Sequence, residues 1–256
     1  MSKRARIGVA LAVLAALAAV AVPLAQRGGY RGVTTRSYTG NVRYDGKFTF
    51  IRMSYPSYGR RRGGDTWAHD WPFGEENFLK ILTSLTNVPA HVDESSIMAF
   101  SDPELFKFPV AYLVEPGNWY LSDAEVDALR DYLVKGGFLI VDYFPRQAWN
   151  NFDLQMARVF PEGRWIELTP DHPIFHSFFD IDSFDIIPQA YNLGGRPMFY
   201  ALFEGNDENN RMYAIANYQN DLSEFWEYMA YGYAPVAGTN EAYQLGINQF
   251  IYGILH

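Results

Sequence analysis

One stretch of this chain leaves little freedom in how it folds. Pro109-Val110-Ala111-Tyr112-Leu113-Val114 is an apolar run of strand length and reads as a strand buried on both faces. Ser122-Asp123-Ala124-Glu125 follows. At this spacing a serine oxygen accepts a free backbone N–H at a helix start while the glutamate reaches back. Val126, Leu129 and Leu133 then recur at helical spacing, and Gly136-Gly137 stops the helix because glycine tolerates left-handed backbone. Phe138-Leu139-Ile140-Val141 is a second buried strand, ending at Asp142. Strand 109–114, helix 122–135 and strand 137–142 make a βαβ crossover, a unit that builds parallel sheets and is right-handed almost without exception.

The rest of the chain continues the alternation. Phe48 to Met53 reads as a strand of aromatic and β-branched residues. Glu75 to Asn87 reads as a helix with Phe78, Leu82 and Leu85 on one face, and Val88 to Val92 as a short strand. Phe152 to Phe160 suggests a helix and Arg164 to Leu168 a strand. Met198 to Glu204 and Arg211 to Ala216 read as strands joined by a hairpin link, Gly205 to Asn210. Leu222 to Ala230 and Glu241 to Leu255 look helical. The expectation is a single α/β domain over residues 47–256, a three-layer sandwich with a mainly parallel sheet. A chain of 256 residues, 48% of them hydrophobic, can bury a core of that size.

Ahead of this domain, Lys3, Arg4 and Arg6 precede an almost unbroken apolar run from Ile7 to Ala25. That layout is a secretory signal peptide or, left uncut, an N-terminal membrane anchor. Basic residues before the run favour an exported, periplasmic or extracytoplasmic body under either reading. Residues 26–46 are polar, with scattered Gly and Arg, and read as a tether. The formal net charge is -8, which repels a phosphate backbone and disfavours nucleic acid as a partner. The chain has no cysteine, which rules out disulfides, thiolate metal ligands and a cysteine nucleophile.

From Gly136-Gly137-Phe138-Leu139-Ile140-Val141-Asp142 the sequence resembles the bacterial domain of unknown function 4159 (DUF4159) family. Phe50-Ile51-Arg52-Met53-Ser54-Tyr55, Trp71-Pro72-Phe73-Gly74 with Asn77-Phe78, and Asp102-Pro103-Glu104-Leu105-Phe106 carry the match as well. So do Asp171-His172-Pro173-Ile174-Phe175 and Leu245-Gly246-Ile247-Asn248. The family is similar in turn to class I glutamine amidotransferase-like folds, so the resemblance implies a flavodoxin-like sheet. Amidotransferases place a cysteine on a strand-to-helix turn. Here the turn after strand 137–141 carries Asp142-Tyr143, so glutaminase chemistry is excluded.

Several residues are candidates for a site. Asp142 ends a buried parallel strand, where ligands of open α/β sheets bind; its bland alternative is a cap on a nearby turn. The long loop Tyr55 to Gly74 carries Tyr55, Tyr58, Trp67, His69, Asp70 and Trp71, plus Arg60-Arg61-Arg62. Such loops are often functional, and aromatic faces beside carboxylates suit a glycan or peptide; alternatively Trp67 and Trp71 only pin the loop. Tyr143 joins Asp142, Trp67, His69, Asp70 and Trp71 as an expected ligand-binding residue. His172 and His176 stand four apart, but no third ligand is evident and Pro173 suits a helix start capped by Asp171, so no metal site is expected. Asp221 is expected to cap the helix after it.

Three functions remain open. The preferred one is an exported, non-catalytic binding or assembly domain of the bacterial cell envelope, without a cofactor, whose partner is an envelope protein or a glycan. The second is a hydrolase of an envelope saccharide or amide, with Asp142 and His172 as catalytic candidates and with Asp70, His69 or His172 as the groups expected to converge on Asp142. The third is a structural domain tethered to the membrane, in contact with it only through an uncut N-terminal segment.

Overall fold

The computed structural model describes residues 40–56, 66–144, 147–187, 189, 196–232 and 234–256. The leader, most of the tether, Tyr58 and Arg60 to Arg62 lie outside the described residues. Gly40–His256 forms one compact unit.

The expected crossover is present. β1 is Phe48–Met53, β2 Ala90–Met98, β3 Val110–Val114 and β4 Phe138–Phe144; β5 is Trp165–Glu167, β6 Met198–Phe203 and β7 Met212–Tyr218. They form one seven-stranded sheet in the order β2-β1-β3-β4-β7-β6-β5. β1 pairs in parallel with β2 and β3, β3 with β4, and β4 with β7. β6 runs antiparallel to β7, and β5 antiparallel to β6. The protein is therefore α/β with a mostly parallel sheet.

Helix α1 is Phe73–Leu85, α2 Asp123–Val134, α3 Ala148–Val159, α4 Leu222–Glu227 and α5 Val236–Leu255. Side chains alternate across the strands, and each face of the sheet has its own core. Phe50, Tyr112 and Ile140 pack with Phe78 of α1, Trp226 of α4 and Phe250 of α5. Ile51, Leu113 and Val141 pack with Leu129 of α2 and Phe152 of α3. Continuous apolar strands are required here because neither face of the central strands reaches water. Each fully buried phenylalanine contributes about 2–3 kcal/mol of transfer free energy. Among the described residues, no helix is long and apolar enough to cross a membrane.

The ends of α2 follow their sequence signals. Ser122 Oγ accepts from Glu125 N, and the Glu125 carboxylate accepts from Ser122 N at 2.9 Å. Gly136 has φ +120°, a conformation that favours glycine, and a Cβ on Gly137 would lie 2.4 Å from the Tyr132 ring.

Other boundaries shift for physical reasons. β2 extends to Met98, past Asp93 and Glu94, because an edge strand can present charged side chains to solvent. Residues at the end of the expected tether lie against it. Asn41 Oδ1 accepts from Ile97 N at 2.8 Å, and Val42 N donates to Ser96 Oγ at 2.9 Å. α3 starts four residues before Phe152, and α5 starts at Val236 rather than Glu241. α4 stops at Glu227 and gives way to a short 3-10 turn. The helix expected after Pro173 is a 3-10 turn, Pro173–His176, and its cap is His172 rather than Asp171: His172 Nδ1 accepts from Ile174 N at 3.2 Å.

Candidate functional site at the carboxyl ends of the strands

Because β1, β3, β4 and β7 are parallel, their last residues share one edge of the sheet. Arg52 near the end of β1 is fully buried and pairs with Glu75 in the first turn of α1, Nε to Oε1 at 2.5 Å. Its guanidinium carbon sits 5.2 Å from the centre of the Tyr112 ring of β3. A buried cation persists only with such a partner. Coulombic attraction to Glu75 and the hydrogen bond Arg52 donates to it hold the guanidinium protonated against the cost of burial.

Asp142 of β4 is also fully buried. Its Oδ2 accepts from Tyr112 Oη (2.6 Å), Leu222 N (2.8 Å) and Ser223 N (3.1 Å), so it ties the strand end to the first turn of α4. The capping alternative thus describes this oxygen, and what it caps is the start of α4. Burial nevertheless raises the Asp142 carboxyl above its ordinary range. Tyr143, the next residue, has φ +56°, a left-handed conformation that costs a bulky residue about 1–2 kcal/mol. The parallel register with β7 shifts across this point.

The loop before α1 reaches the same edge. His69 stacks on Tyr143, centroids 5.0 Å apart and planes 10° apart. Asp70 is buried, and Asp70 Oδ2 accepts from the Ser223 hydroxyl at 2.6 Å. Asp221 caps α4 as expected, through Oδ1 to Glu224 N at 3.2 Å, and is fully buried. The four ligand atoms offered by His69, Asp70, Asp221 and Glu224 all lie within 4.8 Å of one another. Burial and the charges of Asp70, Asp142 and Glu224 push Asp221 well above the ordinary carboxyl range. Burial opposes protonation of His69, but Asp70 outweighs it and raises the imidazole to about 9. Burial also works against the Asp70 charge, yet His69 and Ser223 hold its carboxyl low.

The remaining candidates divide. Trp71 Nε1 donates to Ser95 Oγ of β2 at 3.2 Å, and Trp67 packs partly buried on the α2–α3 side of the sheet. Tyr55 Oη donates to the Val114 carbonyl at 2.7 Å and to that of Glu115 at 2.8 Å, which fastens the start of the loop. His172 is elsewhere. Its ring lies 5.8 Å from Phe203 and 6.1 Å from Tyr252, and Tyr252 packs on Phe138, the first residue of β4. Four strand steps, about 13 Å, separate that edge from Asp142. The two catalytic candidates therefore do not meet, because the strand between them sets their separation. His176 approaches Asp180 at 3.1 Å and the Pro170 carbonyl at 2.9 Å, apart from the strand-end cluster.

Sequence reasoning missed Arg52, Glu75, Tyr112, Ser223 and Glu224 as members of the site. An arginine inside an otherwise apolar strand was the one available signal. It also missed a second feature beside the same edge. Phe144 follows Tyr143 but belongs to the opposite core. There Phe144 meets Trp149 and Tyr218, at 5.9 and 6.4 Å. An open groove of about 380 Å³ follows, lined by Trp149, Trp165, Tyr200, Tyr218, Asp153 and Arg164. Trp149 is 4.9 Å from Tyr200 and 5.8 Å from Trp165. The four rings are half-buried, whereas Asp153 and Arg164 are exposed.

Fold and site together define an α/β protein with a mostly parallel sheet and a polar, acid-rich cluster at the strand carboxyl ends. The profile of the domain of unknown function DUF4159 matches residues 49–254, and the chain belongs to that family. No curated protein matches the sequence.

Proposed function

We propose that this is an exported, non-catalytic binding domain of the bacterial cell envelope, and that its aromatic groove holds a glycan chain. On this reading the scaffold is a flavodoxin-like three-layer sandwich of the class I glutamine amidotransferase kind. The left-handed Tyr143 at the end of β4 supports that lineage, because a strained strand-to-helix turn is where such scaffolds present a nucleophile. Here the position holds Asp142-Tyr143 and the chain has no cysteine.

The groove carries the proposal. Flat half-buried rings cover the apolar faces of sugars without a large ordering cost, and Asp153 and Arg164 flank them with an acceptor and a donor set for hydroxyls. The test is a titration of the purified protein with soluble peptidoglycan fragments, followed by tryptophan fluorescence. Trp165→Ala and Tyr200→Ala should each weaken binding at least tenfold. Equal binding by wild type and both variants rejects the groove.

A second reading keeps the hydrolase, now with His69 in place of His172. What favours it is the half-exposed imidazole held between Asp70 and Tyr143 at the strand ends. Mass spectrometry of the same fragments after incubation separates the two: intact fragments support binding alone, and shortened ones the hydrolase. Export itself is checked by the mass of the natural N-terminus.

A further inference from the structure

Two segments distant in sequence deliver four ligating side chains to one point. His69 and Asp70 come from the loop before α1; Asp221 and Glu224 come from the start of α4. Acidic clusters are common on protein surfaces, but this one is interior. Asp221 is fully buried, Glu224 is 2% exposed and Asp70 5%. Glu75 neutralises Arg52, which leaves these carboxylates and Asp142 in one low-dielectric region with His69 as the nearby cation source.

The buried oxygens without a hydrogen-bond partner are more telling. Asp221 Oδ2 and Asp70 Oδ1 are buried and accept no hydrogen bond, while the other oxygen of each side chain is occupied. His69 Nδ1 is likewise buried without a hydrogen-bond partner. It approaches Asp70 Oδ1 at 3.0 Å but lacks hydrogen-bond alignment. Once the imidazolium proton is released, the His69 nitrogen and Asp70 Oδ1 at that separation suit neighbouring ligands on a shared ion, so ion uptake is coupled to proton release.

We propose that His69, Asp70, Asp221 and Glu224 bind a divalent transition-metal ion. One imidazole nitrogen and carboxylate oxygens are a donor set for Zn²⁺ or Mn²⁺. Around a four-coordinate ion with bonds of about 2.1 Å, ligand atoms stand about 3.4 Å apart, so a set spanning up to 4.8 Å must close by about 1.4 Å at its widest pair as the ion enters. The Ser223 hydroxyl, donating to Asp70 and lying 3.2 Å from Asp221 Oδ1, fixes both carboxylates in place. The His69 side chain is 33% exposed, so the ion reaches the site from solvent on that side. This site is on the face of the sheet opposite the aromatic groove and stands whether or not the groove binds a glycan.

The experiment uses the full-length protein stripped with chelator. Zn²⁺ and Mn²⁺ are titrated by calorimetry, and melting is followed with and without each ion. One equivalent should bind and raise Tm. Asp221→Asn, which keeps the shape of the side chain, and His69→Ala should each weaken binding at least tenfold, while the distant Asp131→Asn binds as wild type. The proposal is overturned if millimolar ion neither binds nor raises Tm, or if both site variants bind like wild type. An Asp221→Asn protein that is more stable than ion-free wild type, alongside a wild type that takes up no ion, would show instead that the carboxylates share a proton. Should Asp221→Asn not fold, His69→Ala decides alone, since its ring is partly at the surface.

Discussion

His172, set apart from the strand-end cluster, has a measurable role in stability. Burial, with His256 nearby, lowers its pKa from 6.5 to about 4, and its neutral Nδ1 caps the 3-10 turn. The folded pKa lies below the unfolded one, so the unfolded chain binds the extra proton between about pH 6.5 and about 4. The contribution is complete above pH 6.5 and is lost as pH falls through that window. The ring is half-exposed, so solvent screening limits it to about 1 kcal/mol. Melting curves from pH 7.5 to 4.5 should show a shallower acid-side fall for His172→Asn, which caps the same N–H without titrating. Identical slopes would remove His172 from the account. Gly246 and Asn248 of α5 act through packing and hydrogen bonding. A Cβ on Gly246 would lie 2.4 Å from the Trp226 ring. The Asn248 amide accepts from Phe178 N and Phe179 N and donates to the carbonyls of Phe175 and Phe179.

At the scale of elements, helix α2 tests how far local signals matter. Ser122→Ala removes the reciprocal cap and should cost about 1 kcal/mol, or about 2–4 °C in Tm, with no change in the near-ultraviolet spectrum of the core. The crossover around α2 was legible because apolar runs, capping residues and a Gly-Gly stop all agree there. The strands β1, β3 and β4 and the β6–β7 hairpin were readable for the same reason. The length of β2 was not, because charge at Asp93 and Glu94 signals an end in a central strand but not at an edge. His69, Asp70, Asp142 and Tyr143 were legible as candidates, since loop and strand-end positions are visible in one dimension. Their convergence with Ser223 and Glu224 was not. It depends on β7 docking beside β4, a pairing between segments some 75 residues apart, roughly the separation from Leu139 to Ala214.

For the molecule as a whole, two cores back to back on one sheet imply graded local stability. β1, β3, β4 and β7 are covered on both faces, whereas β5 is three residues long and half-exposed. Hydrogen exchange should therefore be slowest at Ile51, Tyr112, Ile140 and Ile215 and fastest, within the sheet, at Trp165 to Glu167. Comparable protection in β5 and β4 would contradict the assignment of the core.

The short strap from Asn41 to Val42 has a consequence beyond its few contacts. By occupying Ile97 N and Ser96 Oγ, it blunts the outer rim of β2, the longer of the two boundary strands. The far boundary, β5, is too brief to recruit another chain. Self-association along the sheet is thereby discouraged at both margins by different means: a covering of neighbouring backbone on one side and sheer shortness on the other.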